Sequence, residues 1–303
     1  MFQHFLITRF NLPNKGWQLD KNNNPVQNEE WLYTRIKLFE TYCLPSIQNQ
    51  TCKDFIWFVY FNSKSPEYLL KKISEWKAMC KNFIPQFSSD YDSCLNNEMS
   101  EHIHAYISKQ STFIITTRLD NYDALHRDAI QIIQNHFIAE DNVIIDIEEG
   151  YCYAPKQGII TKHKFISNQF VSYIEQHKKN YSTVYREGHP AWIGKATFIS
   201  IKHKRLWLQI VHDTNVVNSL KGKICLQLHV LDNFNLSKAY TVSFYKALRK
   251  RFIQMYYNLK HFVKINLLKL FKDNRCEGKQ FEKFNCPDTP WCVCLRIRRV
   301  RQR

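Results

Sequence analysis

The sequence predicts an α/β fold: a mostly parallel sheet flanked by helices, followed by a basic helical extension. Three observations carry this. Short runs of β-branched and aromatic residues alternate with helix-like periodicity through the first half of the 303-residue chain, as strand-helix-strand units require. The strongest run, Phe113 to Thr117, stops on a cluster of charge, Arg118, Asp120 and Asp123. The net charge of +16 is uneven. From Tyr240 to Arg303 there are 16 Lys and Arg against 4 Asp and Glu, so residues 1–239 carry only +4.

Composition bounds the problem. At 44% hydrophobic and 15% aromatic the chain can bury a sizeable core, and 7 Gly with 9 Pro exclude low-complexity sequence. The ten Cys are scattered, as reduced buried thiols are, rather than grouped as a disulfide framework. Cys276, Cys286, Cys292 and Cys294 lack the paired CxxC spacing of a zinc site. The first residues have no basic segment leading into a long apolar one, and no uncharged apolar stretch is long enough to span a bilayer. A cytoplasmic location is the resulting expectation. Neither GxGxxG nor GxxxxGK[ST] occurs, which argues against a dinucleotide dehydrogenase or a P-loop enzyme.

Taken in order, His4 to Phe10 reads as a first strand and Asn11 to Asn28, with Pro13, Gly16 and Pro25, as a long loop at the sheet's carboxyl edge. Glu29 to Ile47 has a rough apolar stripe and reads as a helix. Phe55 to Phe61 is a strand, Glu67 to Cys80 a helix, Phe83 to Phe87 a short strand and Ser88 to Glu98 a polar loop. Glu101 to Lys109 is helical, and Phe113 opens the fourth strand. Ala124 to Phe137 reads as a helix, Val143 to Ile147 as a strand, and Phe170 to His177 as a short helix. Thr183 to Trp192 reads as a strand and a loop rich in functional groups, and Arg205 to Asn215 as a strand with a polar end. Tyr240 to Lys272 combines an apolar stripe (Phe244, Leu248, Phe252, Met255, Leu259, Phe262) with many Lys and Arg, the pattern of a helix on a membrane surface or a partner. A division at 238/239 separates body from basic tail.

Ligand sites of open α/β sheets lie beyond the carboxyl ends of the strands. Asp120 and Asp123 fall at such an end. Two hard oxygen ligands there suit Mg²⁺ or Mn²⁺ bridging a diphosphate; the alternative is a strand-to-helix loop in which Asp123 caps the next helix.

Four segments carry a family resemblance: His4 to Asn11; Arg35 to Thr51 with Phe55 to Val59; Thr116-Thr117-Arg118-Leu119-Asp120-Asn121-Tyr122-Asp123-Ala124; and Trp207 to Asn215. Through them the chain resembles the bacterial rhamnosyltransferase family, which is similar to glycosyltransferases of the GT-A fold, over roughly residues 1 to 220. The acidic motif departs from the family's Arg-Leu-Asp-Asn-Asp-Asp at its fifth position, which is Tyr122. The resemblance implies transfer of a sugar from dTDP-rhamnose or a UDP-sugar to a cell-surface glycan or a lipid-linked acceptor. It implies Arg9, Asn11 and Asp120 at the nucleotide, and Asp120 and Asp123, completed by His212, at a metal; Arg118 either pairs with a phosphate or braces the Asp cluster. An inverting transfer needs a carboxylate to take the acceptor's proton: Glu187 and Asp213 are the candidates, Glu148 and Glu149 weaker ones. Anionic lipid is the partner expected of 240–303. The competing expectations are a catalytically silent relative serving as a scaffold, motivated by Tyr122, and a nucleic-acid binder acting through the tail. The tail lies outside the body and no nucleic-acid motif is present, which disfavours the last.

Overall fold

The computed structural model describes residues 1–16, 19, 25–26, 28–212, 220–237 and 242–273, and the backbone of two late strands. Its organising strand is β1 (Phe2–Arg9), which lies between β2 (Ile56–Asn62) and β4 (Phe113–Arg118) and is parallel to both, with β3 (Phe83–Ser88) beyond β2. Side chains alternate across the pleat. Phe5 and Ile7 join Phe58 and Tyr60 on one face, while Leu6 joins Trp57, Val59 and Phe61 on the other. Both faces are covered, which is why these strands read as continuous apolar runs.

The crossovers are helical, as parallel pairing requires. The first is one helical run of α1 (Glu29–Leu38), a π-helical turn (Phe39–Cys43) and α2 (Leu44–Gln48). Asn28 begins it, its side chain accepting from the Trp31 N–H at 2.8 Å. The others contain α3 (Glu67–Met79) and α4 (Met99–Tyr106). Leu32, Ile36, Phe39, Leu69, Ile73 and Trp76 pack on the Leu6 face, and Met99 and Ile103 on the opposite one. The segment expected to be a polar loop, Ser88 to Glu98, contains a helical turn (Tyr91–Ser93) capped by Asp90, whose Oδ1 accepts from the Ser93 N–H at 2.9 Å.

Beyond the acidic motif the chain makes the two-residue strand β5 (Ala124–Leu125) before α5 (Ala129–Asn135). The helix expected from Ala124 therefore begins later, because Ala124 and Leu125 pair with Leu208 and Trp207. After it come β6 (Val143–Ala154), β7 (Ile159–Lys164), β8 (Ser172–Gln176), β9 (Thr197–Ile210) and β10 (Lys223–Ile224). The path through the sheet is β10-β7-β6-β8-β4-β1-β2-β3, parallel from β4 to β3 and antiparallel from β10 to β4. Phe170 to His177 is thus largely strand, not helix. Ser172 to Glu175 are fully buried between β4 and β6, so the run carries no alternation to mark its period. Thr183 to Trp192 forms no strand; it ends in a 3-10 turn, His189–Trp192.

β9 curls so that it pairs parallel to β6 and antiparallel to β5, with register breaks between Ile147 and Gly150. Gly150 lies opposite Trp207, whose ring stacks on Phe170 at 4.9 Å and whose Nε1 donates to the Ile147 carbonyl at 2.8 Å. A Cβ at Gly150 would stand 2.0 Å from Trp207 Cδ2, so the glycine is required by the ring above it.

One polar column crosses the apolar sheet. His4 Nε2 meets Thr117 Oγ1 at 2.7 Å, and Thr117 Oγ1 meets Ser172 Oγ at 2.6 Å, tying β1, β4 and β8 together. Burial pushes the His4 imidazole down to about 3.

The chain forms two compact units, Met1–Leu248 and Arg249–Arg303, and the division falls inside α6 (Phe244–Asp273). In the second unit Phe252, Met255, Leu259 and Phe262, spaced by three and four residues, are all exposed. β11 (Phe281–Asn285) and β12 (Val293–Ile297) pair antiparallel. Cys276, Cys286 and Cys292, and the terminal basic run from Arg298, lie outside the described residues. Among the described residues no helix is long and apolar enough to cross a membrane.

Two tests follow from this packing. Gly150→Ala should cost about 1–3 kcal/mol in urea unfolding, the range for overpacking a filled core; an unchanged midpoint would show that β6 and Trp207 can move apart freely. His4 is neutral when folded, so the unfolded chain takes up its proton first as pH falls below 6.5. Stability should therefore decline from pH 6.5 towards 3 by about 1.4 kcal/mol per unit from this residue. His4→Gln should flatten that part of the pH-stability curve, and equal slopes in both proteins would remove His4 as the cause.

Candidate active site

Parallel pairing of β1 and β4 delivers Arg9 and Arg118 to one edge of the sheet. A cavity of about 430 Å³ opens there. The chain leaves β4 through Leu119, whose N–H donates to the Ile7 carbonyl at 3.0 Å, and Asn121, whose Nδ2 donates to the Phe10 carbonyl at 2.7 Å. These two bonds fasten the acidic motif to the end of β1 and aim Asp120 into the cavity. Arg118 Nη2 donates to Asp120 Oδ1 at 3.3 Å, and Arg9 Nη2 stands 4.0 Å from the same oxygen. Burial by itself would raise the Asp120 carboxyl, but Arg118 and Arg9 outweigh it and hold the group below its usual value.

Aromatic rings orient the guanidinium groups. Tyr185 lies 4.6 Å from Arg9 and 5.4 Å from Arg118, and Tyr91 lies 4.9 Å from Arg9. The Tyr185 segment is held from beneath. Glu175 accepts from the Ser182 and Thr183 N–H groups at 3.0 and 2.8 Å, and Thr116 Oγ1 accepts from the Val184 N–H at 2.8 Å. Burial pushes the Tyr185 phenol up to about 12, so it stays protonated. On another part of the wall Arg35 lies over Trp31 at 4.8 Å and Tyr122 at 4.6 Å and is hydrogen-bonded to Tyr122.

Trp207, Gln209, His163, His189 and Lys221 also line the cavity. His189 is set by a second buried carboxylate. Asp146 accepts from the Ser167 N–H at 2.7 Å and from Asn168 Nδ2 at 3.2 Å, and the Ser167 carbonyl lies 3.1 Å from His189 Nδ1. A carbonyl only accepts, so Nδ1 carries the proton and Nε2 is left with a lone pair. Burial holds the His189 imidazole below its usual value.

The residues singled out in the sequence separate into those on the wall and those away from it. Arg9, Asn11, Arg118 and Asp120 are on it. Asn11 is also structural: its Oδ1 accepts from the Asn62 N–H at 3.0 Å and its Nδ2 donates to Ser65 Oγ at 3.2 Å. Asp123 is fully buried behind the wall, where its Oδ1 accepts from the Ile210 N–H at 2.8 Å. It therefore serves β9 rather than capping the helix that follows. Its Oδ2 has no hydrogen-bond partner among the described residues, and burial, reinforced by Asp120, pushes the carboxyl well above the usual range. His212 meets the edge of the Tyr122 ring at 5.0 Å and is not part of the wall. Glu187 is drawn off by Lys195 at 2.7 Å and Arg186 at 4.0 Å. Glu148 pairs with Lys164, and Glu149 with Arg205, each at 2.7 Å. Asp213 lies outside the described residues.

Of the residues expected at a metal, Asp120, Asp123 and His212, only Asp120 lines the cavity. Mg²⁺ and Mn²⁺ need several hard oxygens turned towards them. Among the described residues no group of three or more His, Cys, Asp or Glu side chains could hold a metal ion. The pairing of β5 with β9 turns Asp123 to the Ile210 amide, a phenol occupies position 122, and Asp120 is clamped by two arginines. With Asp120 the one carboxylate among the described lining residues, and held by two arginines, the wall does not fit a divalent ion.

Arg35 and Tyr91 on the wall, and Tyr185 packed against Arg9 and Arg118, carry no mark in the sequence reading. Arg35 had a signal: a cation four residues after Trp31, on the stripe that carries Leu32 and Ile36. Tyr185 had none, because Glu175 and Thr116 place it across the fold.

A sequence model of the family described as "Putative rhamnosyl transferase" matches residues 3–224. Among solved structures, TarS from S. aureus (residues 1–349) is 10% identical, with a TM-score of 0.35 over 69% of this chain and 60% of that one. TarS in complex with UDP-GlcNAc gives 10% and 0.36 over 71% and 60%. Mouse xyloside xylosyltransferase 1 gives 12% and 0.26 over 49% and 53%. The chain thus spans 60% of the length of the TarS structure it matches. No curated protein matches it. With the family match running from β1 to β10, across every strand that forms the cavity, the chain belongs to the rhamnosyl transferase family.

Proposed function

We propose that the protein is a glycosyltransferase that takes a sugar from a nucleoside-diphosphate donor, dTDP-rhamnose or a UDP-sugar, and passes it to a cell-surface glycan or a lipid-linked acceptor. The observation that carries this is the cavity at the carboxyl ends of β1 and β4, where Arg9 and Arg118 flank Asp120. Guanidinium forks suit phosphate oxygens. Trp31 and Tyr122, on the same wall, would meet a nucleobase or sugar ring with the ring faces that Arg35 does not cover.

Transfer breaks the bond between the anomeric carbon and the diphosphate, and the electron pair leaves on phosphate. The acceptor oxygen forms the new bond and gives up its proton. We assign that proton to His189 Nε2 on the wall, because Nδ1 of the same ring faces the Ser167 carbonyl and leaves the lone pair on Nε2.

A panel of dTDP- and UDP-sugars assayed for slow donor hydrolysis tests this. One donor should be cleaved well above the blank, and His189→Gln should lower that rate by about 10²-fold. The rate should fall on acidification below pH 6.5, where His189 gains its proton. Donor binding with no cleavage of any member would favour the catalytically silent alternative.

For α6 we propose an anionic membrane surface. Phe252, Met255, Leu259 and Phe262 are exposed, and Lys250, Arg251, Lys260 and Lys264 share their stretch of helix. Each basic residue near such a surface contributes about 1 kcal/mol. Changing these four to Glu should abolish sedimentation with phosphatidylserine-containing liposomes, and undiminished sedimentation would sink the assignment.

A further inference from the structure

Four cations, Arg9, Arg35, Arg118 and Lys221, line the cavity against one carboxylate, Asp120, among the described residues. This is the reverse of a metal centre, where acids outnumber bases. Position 122 shows how the reversal is built. Its side chain reaches the wall, but it is a phenol that lies beneath Arg35 at 4.6 Å and bonds to it. Trp31 packs against the same guanidinium at 4.8 Å. Arg118 is held by Asp120 through Nη2 and over Tyr185, while its buried Nε has no hydrogen-bond partner among the described residues. A divalent cation entering here would meet three guanidinium groups, and at such range like charges repel by several kcal/mol when water is scarce.

We propose that the donor's diphosphate is held, and the charge of the leaving group neutralised, by Arg35, Arg118 and Arg9 in place of a divalent cation. This rests on the nucleotide-sugar assignment above. When the bond from the anomeric carbon to the β-phosphate oxygen breaks, its electron pair stays on that oxygen. The fixed guanidinium groups face that charge without needing to reorganise. Arg118 remains anchored through Asp120. Tyr122 and Trp31 act as positioning residues that keep Arg35 aimed into the cavity.

Calorimetric titration of the full chain with UDP and with dTDP, once in EDTA and once in Mn²⁺, decides the matter. The expected result is the same Kd in both media for whichever nucleotide binds. Arg35→Gln and Arg118→Gln should each weaken binding by about tenfold or more, with circular dichroism confirming the fold. Tyr122→Asp, which returns a carboxylate to the wall and releases Arg35, should make binding depend on Mn²⁺. Wild-type binding that appears only with Mn²⁺ would overturn the proposal and leave the donor assignment standing. Binding in neither medium would overturn the donor assignment, and this proposal with it. Should either Arg variant unfold, the wild-type comparison still settles the question.

Discussion

The parallel pairing of β1 with β4 is the constraint on which the rest depends. It sets Ile7 beside Arg118 and so brings Arg9 and Arg118 to one carboxylate. Neither arginine could be buried this far alone, because a desolvated cation without a partner is costly. Asp120 offsets that cost for both, and the rings of Tyr91 and Tyr185 provide the remaining contact. The cluster is thus a structural knot and a basic stretch of the cavity wall at once.

Two carboxylates far from the acidic motif do comparable work. Glu175 gathers the backbone amides of Ser182 and Thr183, and so delivers Tyr185. Asp146 gathers Ser167 and Asn168, and so fixes the carbonyl that sets the His189 tautomer. Each uses both of its side-chain oxygens as acceptors to hold a loop with no regular structure of its own, since buried backbone amides must be satisfied somehow. The cavity is shaped as much by these acids behind the wall as by the residues on it.

Gly150 and Trp207 show the same division in the sheet. The β6–β9 crossing works only because position 150 has no side chain, and the indole it admits becomes part of the cavity. A single packing requirement therefore links the curl of β9 to the shape of the site.

Much of the parallel core was legible in the chain. Phe55 to Phe61 and Phe113 to Thr117 are apolar without alternation because both sheet faces are covered, and that pattern survives without any tertiary information. The charged end of β4, and the positions of Arg9 and Asn11 at the end of β1, were legible for the same reason. Phe170 to His177 was not, since a strand buried on both faces has no period to separate it from a helix. Nor was the fate of Asp123. By sequence, the two acids of the motif are alike, and local propensity makes Asp123 a cap or a ligand. The antiparallel pairing of Ala124 and Leu125 with β9, far along the chain, turned one acid to a backbone amide and left the other to two arginines. The sequence by itself determined where the charged strand ends stand, because strand ends are local features. Only the tertiary structure decided the charge of the site, because that depends on which strands meet.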